Sequence, residues 1–492
     1  MNEVHRTNHL IRSAVAGVAV ALAPGAMVVA GIHNVYIGGA TGNWGAAANW
    51  NQRYVPGSNA GSSAQDDVYL DNDAASGGYV VTVNTNLSSD NNWRSIQIGD
   101  GFYSSQYAVT VDVNSGGVLA SQNNSGINVG GNGRTGANGN AILNIDGGRM
   151  NTLTQSINVA GVVGGSTATV NVSSTTPSSA GYLEVDQLSV GSNGTVNLSD
   201  PYGAGTAIMD IGHGIALSGN AQINQSGGTF TTQGGGNYIG NGGTGTAVYS
   251  ISGGLWNAAG ANPPRYTNVG MRSAGTLDLT GGTANFNYLS VANVNATVAA
   301  VGLFEISGGS TTARALVIGN SGGLGTGSVT VVGSGATGIT ASGGYGSTLL
   351  TEYANGTLNF LIDRQGVTTI NTTNSNDAIT LAGKLTLGFL PGVNGVDGTV
   401  YNLVSSTSSS GINITGLAGW NTADWSVGLT TSGPDHILQA TYIGPVPEPG
   451  ALTLLAIGGG AILLLPRIRI GKSRPGLAVR LALRDDRAAM RL

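Results

Sequence analysis

The stretch AILNIDGG, residues 141–148, contains a pattern from which the fold of the chain can be predicted. Two apolar residues, Leu143 and Ile145, stand four and two positions before Gly147. Side chains at alternate positions of a strand point to the same face of a sheet. The stretch therefore predicts a short strand with one apolar face, ending in a glycine turn.

The same unit recurs along the middle of the chain. Its turn positions are Gly147, Ser174, Asp200, Gly227, Gly253, Gly281, Gly308 and Gly333, separated by 27, 26, 27, 26, 28, 27 and 25 residues. Self-similarity at such a period is typical of a solenoid. Gln225 is an exception, because it stands where the other units have Ile or Leu. It indicates either a local weakness or an alignment error of one residue.

A second short strand falls midway through most units. Examples are Ile157 with Val159, Leu188 with Val190, Tyr238 with Ile239, and residues 316–318. Each unit thus supplies at least two strands and two turns, enough for one coil. We predict an all-β fold, a right-handed parallel β-helix of coils of about 27 residues over residues 131–347, because stacked coils bury the apolar face that one coil cannot. A β-sandwich or a propeller is the alternative, although propeller blades usually need about 40 residues.

The flanking regions are less regular, and the open ends of a β-helix need covering. We predict an N-terminal β cap over residues 31–130, and a C-terminal β cap or small sandwich over residues 348–443, where longer alternating strands occur. The opening, with Trp44, Trp50 and the acidic segment 66–73, resembles the start of β-helical surface proteins, including autotransporter-like passenger regions.

The composition excludes some classes of partner and of stabilisation. Glycine makes up 83 of the 492 residues, charged residues are 9%, and there is no cysteine, so no disulfide holds the fold. Residues 31–444 contain 9 basic and 20 acidic residues, so this part is more acidic than the whole chain, whose net charge is −5. Nucleic acid is therefore not expected as a partner, because phosphate binding needs a positive surface.

The N-terminus predicts export. Arg6 and Arg12 precede an apolar run, residues 14–30, that is broken at Pro24 and contains small residues where a signal peptidase could cut. We interpret residues 1–30 as a signal peptide, handled by signal peptidase and the export machinery. A retained N-terminal anchor is the alternative.

The C-terminus has three parts in a fixed order. Pro445, Val446, Pro447, Glu448 and Pro449 come first, and their prolines keep the segment extended. An uncharged run of 15 residues, 451–465, follows; as a helix it would span roughly 22 Å, less than the ~30 Å hydrocarbon core. The basic residues after it are Arg467, Arg469, Lys472 and Arg474, followed by a basic tail, residues 475–492. We predict a C-terminal transmembrane helix with its basic side in the cytoplasm.

This order, over residues 445–474, resembles the sorting signal of PEP-CTERM proteins. The resemblance implies a Gram-negative bacterium and an exosortase-like enzyme that cuts near Val446, Pro447, Glu448 and Pro449. It also implies a membrane-anchored precursor whose body reaches the cell surface or an exopolysaccharide matrix. An ordinary C-terminal membrane anchor is the alternative.

Two groups of residues are candidate binding sites. Trp44 and Trp50 offer either a stacking platform for sugar rings or a hydrophobic lid on the first coil. The acidic cluster Asp66, Asp67, Asp71 and Asp73 offers oxygen ligands for Ca²⁺, or is a solvated strand edge, since neighbours on a strand point to opposite faces.

The repeats contain few residues suited to catalysis. Among their acids only Glu184 and Asp186 share a strand face at two-residue spacing, with no basic residue nearby in sequence. We therefore expect an exported, noncatalytic surface or matrix protein, without a cofactor, that is associated with exopolysaccharide. The alternatives are a glycan-binding adhesin on the same scaffold, or a β-helical polysaccharide lyase or hydrolase.

Overall fold

The computed structural model describes most of the chain between residues 32 and 444. The described ranges are 32–56, 66–70, 78–87, 93–99, 108–120, 126–130, 140–160, 167–203, 205–259, 266–292, 299–322, 324–343, 348–374 and 378–444. A 3₁₀ turn at Ala47–Asn49 is the only helical element within these ranges, and all other regular structure is β.

Thirty-three strands follow one another along these ranges. The first are β1 (Ile32–Val35), β2 (Thr41–Asn43), β3 (Asp66–Leu70), β4 (Tyr79–Val83), β5 (Trp93–Ile98), β6 (Val109–Asn114), β7 (Val118–Ala120) and β8 (Ile127–Val129). The central strands are β9 (Ala141–Asp146), β10 (Arg149–Val159), β11 (Ala168–Ser173), β12 (Tyr182–Val190), β13 (Gly194–Ser199), β14 (Ile208–Leu217), β15 (Gln222–Thr232), β16 (Asn237–Ile239), β17 (Thr246–Ala258), β18 (Tyr266–Val269), β19 (Ala274–Leu279), β20 (Thr283–Val291), β21 (Val301–Ile306), β22 (Gly309–Ile318), β23 (Thr326–Val332) and β24 (Ala336–Ala341). The last are β25 (Thr348–Glu352), β26 (Gly356–Ile362), β27 (Ile370–Thr372), β28 (Ala378–Leu381), β29 (Lys384–Phe389), β30 (Val400–Ser406), β31 (Ile412–Asn413), β32 (Trp425–Ser432) and β33 (Asp435–Tyr442).

The strands stack into three parallel ladders, which makes the fold a parallel β-solenoid. The first ladder runs through β2, β4, β6, β9, β11, β13, β15, β17, β19, β21, β23, β26 and β29. From β9 to β23, paired residues lie 27, 26, 27, 26, 28, 27 and 25 positions apart. These offsets equal the spacings of the turns in the sequence, so the predicted coil period is confirmed. The sandwich and propeller alternatives are wrong for this region.

The other two ladders complete each coil. The second joins β1, β3, β5 and β8 to the ends of β10, β12 and β14, and continues through β16, β18 and the end of β20 to β22, β25, β28 and β31. The third joins β7 to the starts of β10, β12 and β14, and later reaches β24, β27 and β30. The sequence showed at least two strands in a coil, and the structure has three.

Alternation along each strand places the core inside the coil. In β9, Ala141, Leu143 and Ile145 are fully buried, whereas the residues between them face outward. Their register partners in β11, Val170 and Val172, are also fully buried. Each coil therefore adds a layer of apolar side chains to one continuous core, and burial of this surface stabilises the stack.

The corner between the first and third ladders requires glycine, because successive coils approach each other closely there. Gly282 has a φ of +74°, a left-handed conformation that glycine adopts at no steric cost. A Cβ at Gly282 would lie 2.6 Å from the carbonyl oxygen of Gly254, which occupies the same corner one coil earlier. The paired glycines in the repeat are thus required by both conformation and space.

The predicted caps are not separate units. Residues 31–130 were expected to form an N-terminal β cap, but β2, β4 and β6 already belong to the first ladder. Residues 348–443 were expected to form a C-terminal cap or sandwich, but β25 to β31 continue the parallel stack. Only β30, β33 and β32 pair antiparallel, at the end of this region. The strands of these two regions are spaced less regularly in the sequence because the corners between them are longer, and the architecture is the same as in the repeats.

Four further predictions stay predictions: the transmembrane helix, the signal peptide, the basic tail and the right-handed sense of the coil. No helix within the described ranges is long and apolar enough to span a membrane. The transmembrane helix predicted at residues 451–465 lies outside the described residues, as do the signal peptide at 1–30 and the basic tail at 475–492. The right-handed sense of the coil stays a prediction.

Candidate functional site

A row of side-chain hydrogen bonds crosses the outer face of the first ladder. The amide nitrogen of Asn144 donates to Oδ1 of Asp112 at 2.7 Å, and Asn171 donates to Asn144 at 2.7 Å. Asn197 donates to Asn171 at 2.7 Å, and Asn224 donates to Asn197 at 2.9 Å. This amide ladder joins five consecutive coils, because Asn144, Asn171 and Asn197 each donate to the coil before and accept from the coil after.

A shallow polar cleft of about 300 Å³ lies at the N-terminal end of the amide ladder. Its lining residues are Asp112, Asn114, Asn144, Asp146, Asn171 and Ser173, from β6, β9 and β11. The hydroxyl of Ser173 donates to Oδ1 of Asp146 at 2.7 Å. The lining offers carboxylate, amide and hydroxyl groups and no aromatic ring. Such a surface suits many weak hydrogen bonds to a hydroxyl-rich ligand better than one tight pocket.

A second polar cluster lies on the outer face of the third ladder. A guanidinium nitrogen of Arg149 is 3.3 Å from Oε2 of Glu184, which also accepts a hydrogen bond from the Tyr182 hydroxyl at 3.1 Å. The guanidinium lies over the Tyr182 ring, 4.4 Å from its centroid. Burial, and then the neighbouring charge of Glu184, raise the pKa of Tyr182 to about 12. Tyr182 is therefore protonated at neutral pH and is unsuited to act as a general base.

The neighbouring acids are also held across coils. Nδ1 of His213 contacts Oδ1 of Asp186. Nε2 of Gln233 lies 2.6 and 2.8 Å from the two carboxylate oxygens of Asp210. Each of these acids is thus engaged by a side chain of the following coil, and the cluster links β10, β12, β14 and the residue directly after β15.

The structure does not bring Trp44 and Trp50 to the surface. Their exposed fractions are 1% and 0%. The indole nitrogen of Trp50 donates to the carbonyl of Trp44 at 2.9 Å, and the two rings lie 5.1 Å apart. A stacking platform needs an accessible ring face, so the glycan-stacking interpretation is wrong for this structure. The alternative, a hydrophobic lid on the first coil, agrees with their burial.

The acidic cluster is only partly described. Asp66 and Asp67 are buried; Asp66 accepts a hydrogen bond from Tyr54 at 2.7 Å, and Asp67 accepts one from Ser95 at 2.7 Å. They are therefore not a solvated strand edge. Asp71 and Asp73 lie outside the described residues, and no group of three or more metal-ligating side chains occurs within them. Calcium binding by the full cluster stays a prediction.

The predicted sorting motif and basic cluster both follow the last described residue, Gly444. Val446, Pro447, Glu448 and Pro449 lie outside the described residues, and so do Arg467, Arg469, Lys472 and Arg474. The compact β unit ends at Ile443, just before this segment.

The sequence analysis did not predict the side-chain contacts between coils. The coil period could have predicted some of them. Asp186 and His213 are 27 residues apart, one coil, and so are Asn144 and Asn171. Adding the coil period to each outward polar residue would have found both pairs. The 35-residue spacing of Arg149 and Glu184 could not be found in this way, because a long corner intervenes between β11 and β12.

Comparisons with known proteins give no identity. No family model matches the chain, and no curated protein matches it.

Proposed function

We propose that this chain is an exported, noncatalytic protein of the cell surface or extracellular matrix, associated with exopolysaccharide. It is made as a membrane-anchored precursor and sorted through residues 445–474 by an exosortase-like enzyme. The amide ladder from Asp112 to Asn224 carries the proposal, because it uses outward polar side chains to join coils. Such bonding suits a scaffold that has to remain folded outside the cell without disulfides.

The polar cluster on the third ladder supports the noncatalytic assignment. A polysaccharide lyase or hydrolase needs carboxylates or a base that can reach the sugar. Glu184 is held by Arg149 and Tyr182, while Asp186 and Asp210 are held by His213 and Gln233. These partners favour a role in linking coils.

Association with polysaccharide is supported by the polar cleft. Its carboxylate, amide and hydroxyl groups lie on strands of neighbouring coils, which are spaced about 4.8 Å apart in a parallel stack. A glycan lying across these coils would meet equivalent polar groups at each step. A glycan-binding adhesin would use the same face. Binding of a glycan at this face therefore does not distinguish an adhesin from a scaffold.

Co-sedimentation tests the association and the absence of catalysis together. Protein recovered from the producing cells is mixed with their exopolysaccharide and centrifuged, and the chain length of the polysaccharide is measured before and after. We expect the protein in the pellet and an unchanged chain length relative to polysaccharide incubated alone. Shortened chains would show an enzyme, and protein left in the supernatant would refute the association.

A further inference from the structure

A larger cleft, of about 550 Å³, lies near the C-terminal end of the solenoid. It is formed where two consecutive coils turn from the first ladder to the third, at residues 363–369 between β26 and β27 and at 390–399 between β29 and β30. In the five preceding coils, from β15 to β24, the same corner takes two or three residues. Long corners of this kind commonly carry binding sites on an otherwise regular scaffold.

The first wall of this corner cleft is a turn fixed by Asp363. Oδ1 of Asp363 accepts backbone hydrogen bonds from Gln365 at 2.7 Å and from Gly366 at 2.8 Å. Oδ2 accepts from the backbone nitrogen and hydroxyl of Ser334, at 2.8 and 2.9 Å. Partial burial acts to raise the pKa of Asp363, but these hydrogen bonds outweigh it and hold the pKa below its ordinary value.

Arg364 follows in this turn and lines the cleft with its charge available. Its side chain is exposed and makes no hydrogen bond or ion pair with any residue in the described ranges. Asp363 stands beside it, but both oxygens of that carboxylate are already engaged by four donors. The turn thus presents to the cleft a guanidinium that pairs with no described residue.

The second wall contains the aromatic ring of Tyr401. The ring is supported by Trp425, at a centroid distance of 6.0 Å, and by Phe389, at 6.4 Å. Tyr401 is only half-buried, so part of it remains accessible within the cleft. Burial raises the pKa of Tyr401, so its hydroxyl is neutral at physiological pH. A supported ring of this kind can pack against the apolar face of a sugar.

We propose that the corner cleft binds an acidic sugar unit, a uronate of an extracellular polysaccharide. Arg364 pairs with the sugar carboxylate, Tyr401 packs against the sugar ring, and the amides of Gln365 and Asn394 bond its hydroxyls. The cleft volume lies within the usual range of about 300–1,000 Å³ for ligand sites. This inference rests on the proposed function and names the chemistry of the polysaccharide.

The attraction has to act at short range, because the body of the protein is acidic overall. At physiological ionic strength, charges more than about 8 Å apart are largely screened. The carboxylate of a bound uronate would meet Arg364 in direct contact, where screening is weakest. Binding should therefore depend on this one side chain and not on the net charge of the protein.

Calorimetric titration of the full-length chain with short oligogalacturonate tests the site. Arg364→Gln should weaken binding by about tenfold or more, since a hydrogen bond to a charged group is lost. The affinity of Arg364→Lys should lie between those of the native chain and Arg364→Gln, because lysine keeps the positive charge but lacks the planar, two-pronged guanidinium. Arg314→Gln is the matched control: it removes one exposed arginine from β22, outside the cleft, and should leave the affinity unchanged.

Three results would overturn the uronate site: no binding of oligogalacturonate, equal binding by Arg364→Gln, or equal binding of a neutral oligogalactose. Co-sedimentation with the native exopolysaccharide separates this failure from failure of the proposed function. If the protein still co-sediments, the matrix assignment stands and the uronate site is wrong. If it does not, both proposals fail.

Discussion

Glu352 is an acidic residue that lies in a buried, largely apolar environment. It is fully buried at the end of β25, where its register partners in the second ladder are Ile318 and Leu381. Its Oε2 accepts a hydrogen bond from the backbone nitrogen of Gly383 at 3.3 Å, whereas its Oε1 has no hydrogen-bond partner among the described residues. Burial raises the pKa of Glu352 from 4.5 to about 7, although the backbone N–H groups of Gly383 and Leu358 oppose the rise.

This pKa makes stability depend on pH. Below pH 4.5 the carboxyl is protonated in both the folded and the unfolded chain, so the contribution is fully present. As pH rises to about 7 the unfolded chain ionises first, and stability is lost. The full loss corresponds to about 3 kcal/mol. We expect Glu352→Gln to abolish most of this dependence and to be more stable than the native chain above pH 7, as measured by urea unfolding between pH 4 and 8.

Asp397→Asn is the control for this measurement, because it removes a carboxylate from an exposed loop. It should follow the native pH profile. A Glu352→Gln profile parallel to that of the native chain would show that Glu352 does not titrate as described.

The position of Gln225 could be predicted from the sequence, but its hydrogen-bond partners could not. The register places it opposite Leu198 and Ile251, so the alignment was right and Gln225 does face the core. Its side chain accepts a hydrogen bond from Tyr249 at 2.9 Å and donates to the carbonyl of Leu255 at 3.0 Å. The coil period predicts its buried position. It cannot predict these partners, because they depend on the distance across the interior of the coil.

At the scale of the element, the amide ladder makes a testable contribution to stability. Asn171 donates to Asn144 and accepts from Asn197, so Asn171→Ala removes two hydrogen bonds at once. Each is worth about 1 kcal/mol net, so the free energy of unfolding should fall by about 1–2 kcal/mol. Thermal or urea unfolding measures the loss.

Asn268→Ala is the matched control, since Asn268 faces outward in β18 and its side chain makes no hydrogen bond with the described part of the chain. It should change stability by less than about 0.5 kcal/mol. Equal losses in the two variants would mean that the ladder adds nothing beyond the intrinsic effect of the substitution.

The strands themselves were more predictable than the corners between them. Apolar pairs four and two positions before each turn predicted the first ladder from β9 to β23 with the observed register. The third ladder was missed, because several of its strands follow the first without a break, as in β15 and β17. The corner cleft was not predicted, because the lengths of the loops do not show which side chains of two neighbouring coils lie close together.

At the scale of the whole molecule, aromatic clusters lie near both ends of the stack. Tyr36 packs on Trp50 and Tyr79 among the first coils. Trp425 packs on Phe389 and Tyr442 where the antiparallel strands β32 and β33 follow the last coil. Large rings bury much apolar surface, so these clusters add to the core at the first and the last described coils. The sequence analysis placed Trp50 in an end region but assigned that region to a separate cap.

C-terminal peptide mass spectrometry tests whether the solenoid is exported and released from a sorting signal, as we propose. The measurement is made on protein recovered from the cell surface and from the medium. We expect a C-terminus within residues 445–450, produced by cleavage near Val446, Pro447, Glu448 and Pro449. Protein that ends at Leu492 in both fractions would contradict it, and the chain would then be a plain membrane-anchored protein.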